Sequence, residues 1–150
     1  MQLSLHADYA FRVLIYLGTH RNQSVRTQDI SAAYGISKNH LVRVVQTLGD
    51  CGYVDIHTGR TGGISLAREP REIRLGQVIR QAEPNLRLVE CFERKTNTCP
   101  IAPACALKSA LAEALDAFLS SLDQYSLADV LSPQLRRKLA PLLTILPAAR

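Results

Sequence analysis

Three of the four cysteines lie close together in the chain and could bind a metal. Cys91, Cys99 and Cys105 fall within fifteen residues, and the stretch FERKTNTCPIAPAC that contains the last two predicts neither a regular helix nor a strand. Three thiolates are one short of the usual complement for zinc or for an iron-sulfur cluster. A fourth ligand from elsewhere must therefore complete such a site.

The cysteine spacing favours an iron-sulfur cluster over zinc. Zinc prefers paired C-x2-4-C spacings, whereas this chain has C-x7-C-x5-C, and a larger cluster tolerates a wider loop. Cys105 is expected to begin a long helix, whose N-terminal amides and dipole favour thiolates and an anionic cluster. Zinc, a thiol redox switch and inert cysteines stay open as alternatives. Cys51 stands apart and is expected to be a small buried apolar residue without chemistry.

Length and charge restrict the class of protein. The 150 residues, 47% of them hydrophobic, suit one domain or a small domain with an oligomerisation element. The net charge of +5 favours an anionic partner, and its excess lies in residues 1–81, with ten Lys and Arg against six Asp and Glu. No run of 18 apolar residues occurs, so we expect a cytoplasmic protein without a signal peptide or membrane contact. In a reducing compartment, clustered cysteines more often bind metal or do redox chemistry than form disulfides.

The N-terminal half has the pattern of a helix-turn-helix. Apolar residues at helical spacing predict a first helix over residues 5–20. A second helix is expected to begin after Thr27 as N-cap, with Asp29 in its first turn, and to end at Gly35. Ser37 is expected to cap a third helix whose polar side faces away from its apolar side. Two helices joined by so short a turn are typical of DNA-binding proteins.

The segment YVDIHTGRTGGISLA predicts a β-hairpin wing directly after the third helix. A basic tip between glycines could approach a phosphate or a narrow minor groove, while the third helix would enter the major groove. Arg43 could pair with guanine, and Asn39 or Gln46 with adenine. We expect DNA contacts from Gln28, Ser37, Lys38, Asn39, His40, Arg43, Gln46, Arg60, Thr61 and Gly62.

The C-terminal half predicts a long alanine- and leucine-rich helix with an apolar stripe broad enough for its own domain and a second copy. A homodimer suits helix-turn-helix proteins, which usually read two half-sites. Ser126 with Asp129 resembles a capping box, and the basic triplet 136–138 is expected to be a solvated face. The resulting division is a winged helix-turn-helix over 1–82, a cluster-binding loop over 83–106, a dimerisation helix with a short helix over 107–132, and a tail over 133–150.

The chain resembles the Rrf2 family of bacterial regulators, and within it the nitric-oxide-sensing members. The resemblance covers residues 1–132 and rests on MQLSLHADYAFRVLIYL, the helix-turn-helix, GRTGGISLA, CFERKTNTCPIAPAC and the last helix with SLADVL. It implies a mainly α fold with a β-hairpin wing, a winged helix-turn-helix followed by a long dimerisation helix. It also implies that the three cysteines ligate an iron-sulfur cluster. For this cluster 4Fe-4S is favoured, and 2Fe-2S stays open.

The same resemblance implies that Asp8 of the partner subunit completes the cluster, although an aspartate near a helix start can also simply favour the dipole. Relatives that use a histidine as ligand have it where this chain has Lys108 or Arg12, which favours the nitric-oxide sensor. The implied function is a repressor whose dimer binds double-stranded operator DNA until nitrosylation of the cluster releases it. A regulator responding to cluster supply or redox state is the alternative. An iron-sulfur electron-transfer protein would have no use for the wing, and nothing in the sequence indicates an enzyme.

Overall fold

The computed structural model describes residues 2–21, 23–59, 62–139 and 141–143. It confirms a mainly helical fold with one antiparallel two-stranded sheet. The elements are α1 (Leu5–Thr19), α2 (Thr27–Tyr34), α3 (Lys38–Asp50), β1 (Val54–His57), β2 (Gly63–Leu66), α4 (Leu75–Ala82), α5 (Ala106–Asp123), α6 (Leu127–Val130) and α7 (Pro133–Leu139). Short 3-10 turns occupy Pro70–Glu72, Glu90–Phe92 and Ala102–Ala104.

Local capping signals determine where α2 and α3 begin and end. Gly35 adopts a left-handed conformation with φ 65° at the end of α2, and the Ser37 side chain caps α3, as the sequence predicts. The N-cap expected at Thr27 is wrong by one residue. Arg26 precedes the helix, and its backbone N–H donates to the Asp29 carboxylate at 2.8 Å, so this pair closes the first turn.

The core forms around α1, which packs against α3, α4, α6 and β2. The buried apolar positions of α1 follow a helical repeat, so one face of this helix is removed from water along its whole length. The corresponding buried residues of α3 are Leu41, Val44, Val45 and Leu48. Because α1 and α3 share this core, a displacement of one helix must be accommodated by the other.

The wing is a short hairpin attached to the body of the domain. Val54 pairs with Leu66 and His57 with Gly63 across β1 and β2. The backbone N–H of Ile64 also donates to the Val25 carbonyl at 2.7 Å, so the segment before α2 extends the sheet by one bridge. The hairpin is therefore anchored on the side that faces the helix-turn-helix.

Helix α5 packs on α4 along one side. Arg80 on α4 forms two 2.8 Å hydrogen bonds to the Asp123 carboxylate on α5, and these bonds lower the pKa of that carboxyl. On the other side α5 leaves apolar surface exposed, including 65% of Leu107. The capping box predicted at Ser126 and Asp129 is present. None of the described helices is long and apolar enough to cross a bilayer.

Candidate DNA-binding surface and metal centre

The polar side of α3 is exposed to solvent. Its buried residues all lie on the side that packs against the domain, because the apolar positions repeat with the helical period. The exposed residues include every α3 position predicted to contact DNA: Lys38, Asn39, His40, Arg43 and Gln46. Gln28, on the neighbouring helix α2, is exposed as well.

The side chains of two predicted DNA contacts, Gln46 and Ser37, already form hydrogen bonds within the chain. The Gln46 side-chain amide donates to the Asp50 carboxylate at 2.9 Å, one turn further along α3. The Ser37 oxygen accepts from the His40 backbone N–H at 3.4 Å as the helix cap. Ser37 therefore has its hydroxyl proton to offer a phosphate, whereas Gln46 would have to leave Asp50 to read a base.

The described end of the wing, at Gly59 and Gly62, lies beside the start of α2. The Gly62 backbone N–H donates to the Gly59 carbonyl at 3.0 Å, which closes the turn that connects the strands. A shallow depression next to this turn is lined by residues of both elements, among them Arg26, Thr27 and His57. The predicted contacts Arg60 and Thr61 lie outside the described residues.

The cysteine loop joins α4 to α5 through a series of turns. Cys91 lies in the 3-10 turn Glu90–Phe92, Cys99 lies in the irregular stretch after it, and Cys105 immediately precedes α5. All are free thiols and half-buried. The Glu90 carboxylate accepts from both the backbone N–H of Thr98, at 3.1 Å, and its hydroxyl, at 3.0 Å. This contact holds the residue before Cys91 next to the residue before Cys99.

The chemistry of this loop fits an iron-sulfur group. Thiolates are the ligands that cluster iron prefers, and a position at a helix N-terminus favours the negative charge of such a site. Among the described residues, no side chain caps the first turn of α5, which leaves its amide N–H groups for another acceptor. Within the described part of the chain, no three His, Cys, Asp or Glu side chains are gathered as metal ligands. To bind a cluster, the three cysteine side chains would therefore have to come closer together.

Asp8 lies on the first turn of α1 and is paired with Arg12. The Asp8 carboxylate accepts from Arg12 Nε at 3.2 Å and lies 2.7 Å from Arg12 Nη2, with both side chains 40% exposed. The Arg12 guanidinium also lies 5.6 Å from the centre of the Tyr9 ring and 5.8 Å from that of Tyr34. Burial raises the pKa of Tyr34, and the nearby Arg12 cation opposes that rise.

Three contacts in these regions were not anticipated from the sequence. The Asp8–Arg12 pair could have been found, since a carboxylate followed four residues later by an arginine is a standard helical pair. The Glu90–Thr98 contact lies in a loop without periodicity, so no sequence pattern indicates it. The third is a 3.1 Å hydrogen bond between His6 Nε2 and Thr47 Oγ1, which are 41 positions apart.

The turn between α2 and α3, the exposed polar side of α3 and the following hairpin define a winged helix-turn-helix, an architecture of DNA-binding transcriptional regulators. Residues 3–133 match the Rrf2 family, described as an iron-dependent transcriptional regulator. The chain belongs to the Rrf2 family.

Named relatives and solved structures agree with this assignment. The chain is 48% identical over 132 residues to the HTH-type transcriptional regulator NsrR of Geobacillus kaustophilus, covering 87% of this chain and 90% of the relative. It is 44% identical over 131 residues to NsrR of Bacillus subtilis, with 87% and 90% covered. The structure of T. potens IscR superposes with a TM-score of 0.69 at 26% identity, covering 87% of this chain and 86% of IscR.

Proposed function

We propose that this regulator is a nitric-oxide-sensitive repressor that acts as a homodimer with an iron-sulfur cluster in each subunit. The observation that carries the proposal is the packing of α1, the helix with Asp8, on α3, the helix with the exposed polar side. A ligand contact at one helix can thus alter the placement of the other. Nitric oxide is proposed as the signal because the chain resembles the nitric-oxide-sensing members of the family.

Each subunit of the proposed dimer would bind one half-site of the operator DNA. Arg43, Asn39 and Gln46 on α3 would contact base edges, and Lys38, His40 and the wing would contact phosphates. Two such helices must be separated by about one turn of DNA, about 34 Å, to bind neighbouring half-sites. The exposed apolar surface of α5, including Leu107, would be covered by the second copy and would hold this spacing.

The sensing part of the proposal uses Cys91, Cys99 and Cys105 of one subunit with Asp8 of the partner subunit. The bound cluster, proposed to be 4Fe-4S, would supply an iron that reacts with nitric oxide. A carboxylate is a harder and weaker ligand for this iron than a thiolate, so the bond to Asp8 would be the one that is lost. An exposed helical ion pair such as Asp8–Arg12 contributes only about 0.3–0.5 kcal/mol, so Arg12 would not prevent Asp8 from leaving for iron.

A regulator that responds to iron-sulfur supply is the second candidate, and the iron-dependent description of the family favours it. Lys108 argues against it, because a lysine stands where the supply-sensing relatives are expected to have a histidine ligand. Lys108 is half-buried three residues after Cys105. The usual protein ligands of cluster iron are thiolates and, in some sites, imidazole, so a lysine at this position would not complete the site.

Binding to operator DNA before and after nitric oxide tests the function. The DNA would be selected from random sequences by the anaerobically purified protein, and affinity would be measured by fluorescence anisotropy. We expect nitric oxide to weaken binding by at least about tenfold, which corresponds to about 1.4 kcal/mol of coupling free energy.

Arg43→Ala should cost about 1–3 kcal/mol of affinity and relax specificity at one base pair.

The matched control is Arg136→Ala, which removes the same charge from the exposed face of α7. It should leave base preference unchanged. If the protein bound its DNA equally well with and without nitric oxide, the proposed signal would be wrong. If Arg43→Ala kept full affinity and specificity, α3 would not be the recognition helix.

A further inference from the structure

A short chain of hydrogen bonds connects the first turn of α1 to α3. His6 Nε2 lies 3.1 Å from Thr47 Oγ1, and the Thr47 hydroxyl donates to the Arg43 carbonyl at 3.1 Å. A threonine hydroxyl has one proton, and that proton is used in the bond to Arg43. With both bonds formed, the hydrogen-bond network assigns the donor role to His6 Nε2 and the acceptor role to the Thr47 oxygen.

This pair of hydrogen bonds begins near Asp8 and ends at Arg43, the two residues on which the proposed function depends most. His6 precedes Asp8 by two positions in the same helical turn, and the Ser4 side chain caps that turn by accepting from the Ala7 backbone N–H at 3.2 Å. At the other end, the bond reaches the backbone of Arg43, the residue expected to read guanine. The turn that carries Asp8 is thus tied directly to the turn that carries Arg43.

Apolar packing is not the only contact between α1 and α3 at this end. An open surface depression lies between the two helices here, lined by Leu5, His6, Tyr9, His40, Arg43 and Val44. The rings of Tyr9 and His40 make a tilted contact beside it, with their centres 6.2 Å apart. The His6–Thr47 bond adds a directional contact to this packing, and such a bond depends more strongly on the relative placement of the two helices than non-directional apolar contacts do.

We propose that His6 is a positioning residue that transmits the state of Asp8 to the recognition helix through Thr47. The inference rests on the proposed function, in which Asp8 is bound in one state and released in the other. When Asp8 is held, the first turn of α1 is fixed, and the His6–Thr47 bond fixes α3 with it. When Asp8 is released, that turn moves and α3 loses its alignment with the DNA.

The test compares Thr47→Val, His6→Ala, the double variant and His6→Gln, all purified anaerobically with the cluster. Valine keeps the shape of threonine without its hydroxyl, and glutamine keeps an N–H donor near the position of Nε2. We expect each single loss to weaken binding of the selected DNA by about threefold to tenfold, the usual contribution of one hydrogen bond. The double variant should be no weaker than the worse single variant, and His6→Gln should bind nearly as wild type does.

Three further measurements distinguish a positioning role of His6 and Thr47 from other roles. The salt dependence of binding should be unchanged in every variant, because no phosphate contact is removed. After nitric oxide is added, the DNA affinity of each variant should equal that of wild type treated in the same way. The ratio of the affinities before and after nitric oxide should therefore be smaller in the variants than in wild type. Urea unfolding of the cluster-free variants should show the same non-additivity between positions 6 and 47, which confirms the bond in the folded chain without the cluster.

Additive losses at positions 6 and 47, or equal losses before and after nitric oxide, would overturn the inference. A smaller salt slope would also overturn it, since it would mean that one of the two residues contacts DNA. The proposed function fails in a different way, with wild-type protein that keeps its DNA when nitric oxide is added. In that case a non-additive loss of affinity would still support His6 as a positioning residue for α3.

Discussion

Replacing Cys99 with alanine is expected to abolish the visible absorption of the anaerobically purified protein while the chain remains folded. The absorption should disappear because a site with two thiolates instead of three loses most of its affinity for a cluster. The fold should survive because the hydrogen bonds of the loop around position 99 do not use the Cys99 thiol. The Cys99 backbone N–H donates to Asn97 at 3.1 Å, and the neighbouring Thr98 binds Glu90.

Cys51→Ala provides the matched control for this prediction. Cys51 is half-buried, packs against the hydrophobic core and is distant in sequence from the loop. Its loss should cost some stability and leave both absorption and iron content unchanged. If Cys99→Ala retained the wild-type spectrum, or if Cys51→Ala lost it, the assignment of the cluster to the loop would be wrong.

Gly76→Ala is expected to destabilise the protein by about 1–3 kcal/mol, the range for overpacking a tight contact. Gly76 faces α5 where α4 crosses it. A Cβ atom there would overlap the Asp123 carboxylate and would lie 2.7 Å from the Leu119 carbonyl oxygen, which is too close for a carbon atom. The helices would have to separate, and the bonds between Arg80 and Asp123 would be disturbed. The higher helix propensity of alanine offsets only part of this loss.

Gln77→Ala is the control, because Gln77 is exposed on the same helix and its replacement also introduces a favourable helix former. Urea unfolding of the cluster-free protein measures both variants. Gly76→Ala should unfold at lower urea concentration than wild type, and Gln77→Ala should not. A stable Gly76→Ala protein would show that α4 and α5 are not held as closely as described.

The sequence predicts well what is decided by neighbouring residues. The caps at Gly35, Ser37 and Ser126 follow from the hydrogen bonds that these residues can offer to a helix end, and all three are present. The error at Thr27 has the same origin. The Asp29 carboxylate accepts the backbone N–H of the residue three positions before it, which is Arg26, so the cap falls on Arg26 and Thr27 becomes the first residue of the helix.

Features that depend on tertiary structure could not be predicted. The bond between His6 and Thr47 requires two helices to cross at one particular place, and nothing near either residue in the sequence encodes that crossing. The close approach at Gly76 is of the same kind. The candidate cluster site is harder still, because its proposed fourth ligand, Asp8, would belong to another copy of the chain. For the cysteines the sequence supplies the candidate ligand types and their order, whereas the described part of the chain does not gather them into a metal site.

Ligation by Asp8 across the dimer is tested most directly with a mixed dimer of one Asp8→Ala subunit and one Cys99→Ala subunit, each with its own affinity tag. Only the Asp8→Ala subunit in this dimer has all three cysteines. If the aspartate comes from the partner, the single cluster has its full set of ligands. The rate at which a chelator removes iron from the mixed dimer should then equal the wild-type rate. A rate equal to that of the Asp8→Ala homodimer would contradict ligation between subunits.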